Sequence, residues 1–571
     1  MMIMIHQNMC VVTVVVCVIC LFMEMQHVSG VTRKTVYITQ NESGARYTLN
    51  KGNDTKWLAK GYYAALNNDT GWGYLQVQTN PQNNDTSQAF AAGYVESLLT
   101  YDLMYKHWYN TLHGFCETRQ ALCQRVQDHL DKNLVWVNDM IANHSNTEPY
   151  WHQVNLFYYH LEGLAFGYKT AREAEGDTSK NLTFNDLLWL NIQGDLEDLF
   201  SAFDTNTGDP PSVRGAQLPA STTCSALIKL LPDSSDLYTS HDTWSSFQSM
   251  LRVQKRYIFP YKMLPDSNDT VPGHVITFSS YPGTIQSGDD FYVTSAGLAT
   301  LETTTGNNNR SLWQYVTPEG QVLEQVRTMV ANRLGHCGMS WSKTFSLYNS
   351  GTYNNQWMVV DYKRFKKGTP QSLLKDKLLW VLEQLPGYIR AEDKTEVLRQ
   401  QSYWPSYNSH YFPDIYNLSG QGELAAKYGD WFTYDRTPRA LIFKRDHVKV
   451  NDTSSMIALM RYNDYLHDPL SRCNCTPPYS GENAIACRND VNPINGTYPF
   501  PALGHRPHTA TDMKLTTADL ITKLQFIAIA GPPYNTYLPP FQWSKSDYKD
   551  LPHLGHPDVF QYQPVLFKWQ W

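Results

Sequence analysis

The stretch Ser221-Thr-Thr-Cys-Ser-Ala-Leu-Ile-Lys-Leu-Leu-Pro232, followed by Ser240-His-Asp-Thr-Trp244, sets the reading of the whole chain. Cys224 stands at the join between a loop-like segment and a strand-like run, Cys224 to Leu231. Residues 203–223 carry three prolines and two glycines and follow neither a helical nor a strand period, which reads as a linker or exposed loop. An aperiodic stretch of that length points to processing or function. A turn before Cys224 can strain the Thr223–Cys224 peptide, so that the thiol attacks the preceding carbonyl and forms a thioester that water opens. Cys224 then becomes both a chain start and a nucleophile, with its own α-amine as base. On composition and spacing alone, a small buried residue opening a strand is the commoner role for such a cysteine.

On the N-terminal side, residues 1–30 hold an apolar core from Cys10 to Met23 and then small and polar residues, the pattern of a secretory signal peptide cut near Gly30. The core is shorter than the about 20 residues a membrane span needs, and no later segment is apolar enough, so the mature chain is expected without a transmembrane segment. Sequons at Asn41, Asn53, Asn68, Asn84, Asn143, Asn181, Asn268, Asn309, Asn417, Asn451, Asn474 and Asn495 agree with a glycosylated, secreted or lysosomal product. A net charge of −6 over 571 residues, with no basic tract, argues against nucleic acid.

Seven cysteines remain after the signal segment, an odd number for an oxidising compartment. Cys116 and Cys123 are near enough to bridge. Seven residues of continuous helix would hold them about 10.5 Å apart, so a bridge requires the helix to begin after Cys116. Cys487 can close a loop with Cys475, the expected second bridge, or with Cys473. Cys224 and Cys337 are then the free thiols. Cys473, Cys475, Cys487, His505 and His508 read better as disulfide plus surface histidines than as a zinc cluster, and no metal or cofactor is expected.

Residues 31–84 alternate short β-rich runs with turns. Helical periodicity then takes over: Tyr94 to Trp108, Leu122 to Ile141, Val154 to Tyr168 and Leu188 to Leu199 each place apolar residues on one face. Beyond the linker, strand patterns cover Cys224 to Leu231, Leu237 to Ser240, His274 to Ser280, Phe291 to Ser295, Gly297 to Thr304, Gln356 to Tyr362 and Ala440 to Phe443. Helical patterns cover Ser245 to Tyr257, Val322 to Leu334 and Leu373 to Leu385. Strands between helical layers predict an α+β layered sandwich whose sheet strands come from both sides of the linker. The tail from Gly531 to Trp571, rich in Pro, Tyr and Trp, reads as an extended segment lying over the body. The chain has no Gly-x-Ser-x-Gly elbow, His-Glu-x-x-His, P-loop or dinucleotide fingerprint.

Longer motifs carry a resemblance. Cys224-Ser-Ala-Leu-Ile-Lys-Leu-Leu-Pro with Ser240-His-Asp-Thr-Trp, Asn354-Asn-Gln-Trp-Met-Val-Val-Asp-Tyr-Lys, Tyr434-Asp-Arg-Thr-Pro-Arg-Ala, Met460-Arg-Tyr-Asn-Asp-Tyr-Leu-His-Asp-Pro-Leu-Ser and Gly496-Thr-Tyr-Pro-Phe-Pro-Ala-Leu-Gly-His-Arg-Pro-His resemble the phospholipase B-like proteins, or lamina ancestor homologues. Ala91-Ala-Gly-Tyr-Val-Glu-Ser looks like the N-terminal helix motif of the same family. The resemblance covers nearly all of the mature chain. It implies an N-terminal nucleophile hydrolase with a four-layer αββα sandwich, made as a proenzyme: a signal peptide (1–30), an N-terminal fragment (31–202), a linker or propeptide (203–223) and a C-terminal fragment (224–571). The chain is cut before Cys224 and the two fragments stay associated.

Carried over by resemblance, Cys224 is the nucleophile. His241 and Trp244 lie on the next strand, where bile-salt and penicillin acylases place an arginine and an aspartate. Thr304 and Asn408 supply the oxyanion hole, with Asn354 the reserve for Asn408, and Arg439 orients the nucleophile's surroundings. The Thr-Thr before Cys224 departs from relatives, which often have glycine with histidine or serine there, and bears on cleavage rate. The implied substrate is a glycerophospholipid that loses fatty acyl chains through a Cys thioester. An amidase on N-acyl or peptide substrates, or a lipid-binding protein with little turnover, are the alternatives. A free α-amine, with a pKa of about 7.7–8.0, is protonated in an acidic lumen unless burial lowers it or His241 shares its work.

Overall fold

The computed structural model describes residues 32–40, 47–50, 57–204 and 223–571. The signal segment, Asn41, Asn53 and residues 205–222 of the linker lie outside the described residues. The fold is α+β, with two large sheets. The first, of 11 strands among the described residues, joins both sides of the linker. Trp72–Thr79 pairs in parallel with Arg252–Ile258, from Trp72 opposite Arg252 to Gln78 opposite Ile258, and every other ladder in that sheet is antiparallel. The second sheet runs Tyr403–Ser406, Thr223–Leu230, Leu237–Ser246, Asp512–Thr517, Ile527–Ala530, Val565–Leu566, with His508–Ala510 also on Leu237–Ser246.

Period-two alternation sorts side chains into three cores. Trp357 and Val359 pack with the helices Asp85–Thr111, Pro149–Ala174 and Glu324–Leu334, while Met358 and Val360 of the same strand face the second sheet. Ala226, Ile228 and Leu230 point into that inter-sheet core. Leu227 points the other way, to Ile442, Phe443, Met456 and Met460 on the helices Pro438–Asp446 and Thr453–Met460.

The four N-terminal helical patterns appear as Asp85–Thr111, Gln120–His144, Pro149–Ala174 and the pair Phe184–Asn191 and Gln193–Phe203. Three readings change. Ser245 to Tyr257 is the end of one strand, a short 3-10 turn and the strand Arg252–Ile258, where charged or polar Arg252, Gln254 and Arg256 alternate with Val253, Lys255 and Tyr257. Leu373 to Leu385 becomes a turn and the strand Leu379–Leu385; buried on both faces, it shows no strand alternation in sequence. Ala440 to Phe443 is helical, because Pro438 presets the first turn and Lys444 and Arg445 close the last.

The tail lies over the body as expected: Trp569 stacks on Tyr74 with ring centres 4.6 Å apart, and Lys60 sits over Trp571 at 4.4 Å. Cys116 and Cys123 are bonded, and the helix begins at Gln120, after Cys116. The expected Cys475–Cys487 bridge is not formed. Cys473 is bonded to Cys475, and Cys487 is a buried free thiol packed with Trp244, Ala486 and Ala510. Cys224 and Cys337 are free as well. Asn68, Asn84, Asn143, Asn181, Asn268, Asn417, Asn451, Asn474 and Asn495 are exposed, and Asn309 is half-buried. No helix among the described residues is long and apolar enough to cross a membrane.

Asp85–Thr111 and Pro149–Ala174 cross almost backbone to backbone. A Cβ at Gly163 would fall on the Phe90 carbonyl, and one at Gly93 on the His160 carbonyl. Neither neighbour is a side chain that could turn away. Gly163→Ala is therefore expected to cost about 1–3 kcal/mol or more, read as a lower midpoint in denaturant unfolding; an unchanged midpoint would contradict this packing.

Candidate functional site

Cys224 is the second residue of the strand Thr223–Leu230 and has no solvent exposure. Its backbone N–H donates to Asn408 Oδ1 at 3.2 Å, and its carbonyl accepts from Arg439 Nη1 at 2.7 Å. Arg439 Nη1 also donates to Asn408 Oδ1 at 2.8 Å and to Ser225 Oγ at 3.3 Å. Asn408 Nδ2 donates to the Thr304 carbonyl at 2.6 Å. Two donors on Oδ1 and an acceptor at Nδ2 fix the orientation of the amide. Asn408 holds φ +63°, a left-handed conformation that asparagine tolerates better than most residues. Thr304 ends the strand Leu298–Thr304, and Arg439 sits in the first turn of Pro438–Asp446. Asn408, rather than Asn354, meets Cys224; Asn354 is turned to Asp198, donating through Nδ2 at 2.8 Å.

His241 and Trp244 both lie on the strand Leu237–Ser246, on opposite faces. Thr243 is opposite Cys224 and His241 opposite Ala226, which puts His241 on the inner face with Cys224, as its diagonal neighbour. Trp244 is opposite Thr223, on the outer face, with the Arg439 guanidinium 4.1 Å from its ring centre. His241 Nε2 is 2.9 Å from the Glu302 carbonyl, so Nε2 carries the hydrogen. Nδ1 is buried with no hydrogen-bond partner among the described residues. Burial, reinforced by Lys514, holds this imidazole well below its usual range, hence neutral. Burial, then the Glu302 carboxyl, pushes the Cys224 thiol well up. The thiol is therefore protonated at rest and needs a base to attack.

The sequence reading missed several neighbours. Lys514 Nζ donates to Thr243 Oγ1 at 2.6 Å and to Asp512 at 2.7 and 2.9 Å. Its signal was available: Asp512 and Lys514 alternate with Met513 and Leu515 in a strand, placing charge on the inner face. Tyr353 Oη donates to Asp290 Oδ2 at 2.7 Å and to Glu302 Oε1 at 3.2 Å. Burial pushes Glu302 well above the carboxylate range and Asp290 up to about 7. His508, expected at the surface, is buried, with Nε2 3.3 Å from Thr223 Oγ1; burial and Arg506 lower it to about 4. His505 is half-buried and stacks on Tyr548, ring centres 5.1 Å apart.

An open cleft reaches this cluster. Thr223, Thr304, Asn408 and Arg439 line it, together with Trp431 and Phe432. The arrangement offers a buried thiol, a neutral imidazole on the same sheet face, and amide and guanidinium donors around one peptide bond. That is the equipment of acyl transfer.

The family profile described as Phospholipase B matches residues 59–567. A phospholipase B-like 2 protein of Homo sapiens is 47% identical over 508 residues, 88% of this chain and 84% of that one. A phospholipase B-like 1 protein of Caenorhabditis elegans is 43% identical over 547 residues, 94% of this chain and 93% of that one. Among solved structures, a penicillin V acylase from Agrobacterium tumefaciens is similar over 54% of this chain and 82% of its own, at 12% identity and a TM-score of 0.27, too remote to bear on the fold.

Asp290 provides a test of the buried carboxyls. Its folded value, about 7, lies above the unfolded value of about 3.9, so its contribution is present below pH 4 and lost as pH rises through 7. Asparagine mimics the protonated acid and accepts the φ of +54°. Asp290→Asn is expected to match the wild type near pH 4 and to exceed it above pH 8 by on the order of 2–4 kcal/mol, measured by urea unfolding across pH. A constant difference at all pH values would contradict it.

Proposed function

Because the chain belongs to the phospholipase B family, we propose that it hydrolyses acyl groups from lipids and matures by cutting itself between Thr223 and Cys224. The observation that carries this reading is the hold on Cys224: N–H on Asn408, carbonyl on Arg439, side chain on the same sheet face as a neutral His241. In maturation, the Cys224 sulfur attacks the Thr223 carbonyl carbon, the thiol proton passes to the departing nitrogen, and the C–N bond breaks. Water opens the resulting thioester, leaving a carboxylate on Thr223 and a free amine on Cys224.

In turnover the amine, or His241 Nδ1, takes the thiol proton. The thiolate attacks the acyl carbonyl, the proton passes to the leaving group, and water then opens the Cys224 acyl thioester, releasing the acid and restoring the thiol. Asn408 has one amide hydrogen on the Thr304 carbonyl, which leaves the second for the oxyanion. Trp244 and Arg439 act from the outer face, shaping and orienting. The order of the three cores, helices on sheet, sheet on sheet and sheet on helices, supports the αββα sandwich of the N-terminal nucleophile hydrolases. The parallel ladder Trp72–Thr79 with Arg252–Ile258 would keep the two fragments together after the cut. The exposed sequons fit a glycosylated product of the secretory route, secreted or lysosomal.

The cleft's walls favour a second reading. Thr305, Asn307, Ser409, Gln421 and Glu197 line it beside the aromatic pair and supply hydrogen-bonding groups that an amide substrate could use. An amidase acting on short or polar N-acyl groups fits that lining. Wild-type protein is expected to yield a fragment beginning at Cys224 by N-terminal sequencing, and Cys224→Ala to stay uncut. A wild type that remains one chain would sink the mechanism. Labelled phospholipids tested beside N-acyl amines then decide the substrate, and turnover of neither would leave a lipid-binding role.

A further inference from the structure

We propose that Glu482, Cys487 and His508 form a binding site for a thiophilic divalent cation of the zinc class. The three donors come from separate parts of the chain and converge in a buried corner beside the cleft. Cys487 Sγ is 3.5 Å from His508 Nδ1, His508 Nδ1 is 3.6 Å from Glu482 Oε2, and all three donor atoms lie within 4.8 Å of one another. A tetrahedral ion bonded at about 2.3 Å to sulfur, about 2.0–2.1 Å to nitrogen and about 2.0–2.2 Å to oxygen spans donor-to-donor edges of about 3.4–3.6 Å. The two edges that meet at His508 Nδ1 already have that size.

The donors are held in place from outside the site. The Ala510 N–H and Thr509 Oγ1 each donate to the Cys487 carbonyl at 3.0 Å. His508 starts a strand paired with Leu237–Ser246. Arg506 Nη2 donates to both Glu482 oxygens, at 3.0 and 3.1 Å. A carboxylate has about four lone-pair sites, so this contact leaves room on Oε2 for an ion. The nearby Arg506 and Arg439 charges oppose a cation, and the thiol must give up its proton on binding. Uptake therefore depends on thiolate formation, which selects a soft-tolerant d10 ion over magnesium or calcium. Glu482 and His508 border the cleft, which leaves the fourth position open to water. With the ion on Nδ1, His508 must carry its hydrogen on Nε2 and donate to Thr223 Oγ1, so occupancy fixes the tautomer beside the Thr223–Cys224 peptide.

The test uses the full chain, stripped with a chelator and titrated with Zn2+ alone by calorimetry and with Co2+ alone by absorbance. One ion per chain is expected, with a thiolate-to-cobalt band in the near ultraviolet and release of about one proton per ion. Cys487→Ser is expected to abolish the band. His508→Gln is expected to weaken binding at least tenfold, and Glu482→Gln, which keeps the size of the side chain, to weaken it severalfold with the band retained. Cys224→Ser and Cys337→Ser control for the other free thiols and must keep the band. Absence of uptake by the wild type, persistence of the band in Cys487→Ser, or its loss in either control would each overturn the proposal, and the wild-type result decides even if a variant does not fold.

Discussion

Arg252 has no solvent exposure and lies between two sheets, and the structure around Cys224 depends on how its charge is answered. It reaches back to the segment before the linker, with its guanidinium 4.9 Å from the Trp72 ring centre, and forward to Asp512 and Asp289. Removing one partner of such a pair typically costs about 3–5 kcal/mol, because a charge is left buried and unpaired. Asp512 is in turn shared with Lys514, whose ammonium donates to Thr243, the residue opposite Cys224. One line of contacts thus runs from the parallel junction to the strand that carries Cys224. Against its burial, Asp512 is held at about 2 by Arg252 and Lys514, so it stays ionised across the range in which the rest of the site titrates.

Two sets of buried groups titrate in opposite senses. Asp198 and Asp290, both raised to about 7 by burial, bind protons that the unfolded chain has already lost, so their contribution fades as pH rises through 7. His107 and His556, lowered to about 3, and His129, His447 and His508, lowered to about 4, stay neutral while the unfolded chain takes up protons. Their contribution is present above about pH 6.5 and lost as pH falls toward 4 and 3. Between about pH 4 and 6.5 the two slopes oppose one another. The two buried carboxyls therefore offset the acid sensitivity that so many buried histidines would otherwise impose.

The helices before the linker and several strands after it, Thr223–Leu230, Val275–Ser280 and Leu298–Thr304 among them, were legible because each carries its period over several turns or residues. The strand Leu379–Leu385 was not: both its faces meet a core, so the alternation that marks a strand disappears. At the site, Cys224, His241, Asn408 and Arg439 could be named by motif, and a spacing of three puts His241 and Trp244 on opposite faces of a strand, yet sequence could not reveal which of the two shares a face with Cys224. That follows from ladder register. Glu302, Asp290 and Tyr353 stayed hidden because their significance comes from meeting across separate strands and loops. The cysteines show the same limit. Cys473, Cys475 and Cys487 are close in sequence, but Cys487 is drawn inward by its packing against Trp244 and Ala510, beyond the reach of a surface bridge.

The contacts on Cys224 have a property that bears on the proposed cut. None of them depends on the bond that would break. Its nitrogen donates to Asn408 as an amide and would still donate as an amine, and its carbonyl, held by Arg439, lies on the far side of the cut. Asn408 is itself fixed by Thr304 and Arg439 rather than by the linker. Thr223, by contrast, has its side chain on His508, so the two sides of the peptide are gripped by separate parts of the fold. A residue held this way would need no rearrangement of these contacts between an uncut and a cut chain. In the proposed cut the Asn408 and Arg439 donors would stay where they are while a new amine is added beside the thiol, and donors that need no reorganisation are the effective ones.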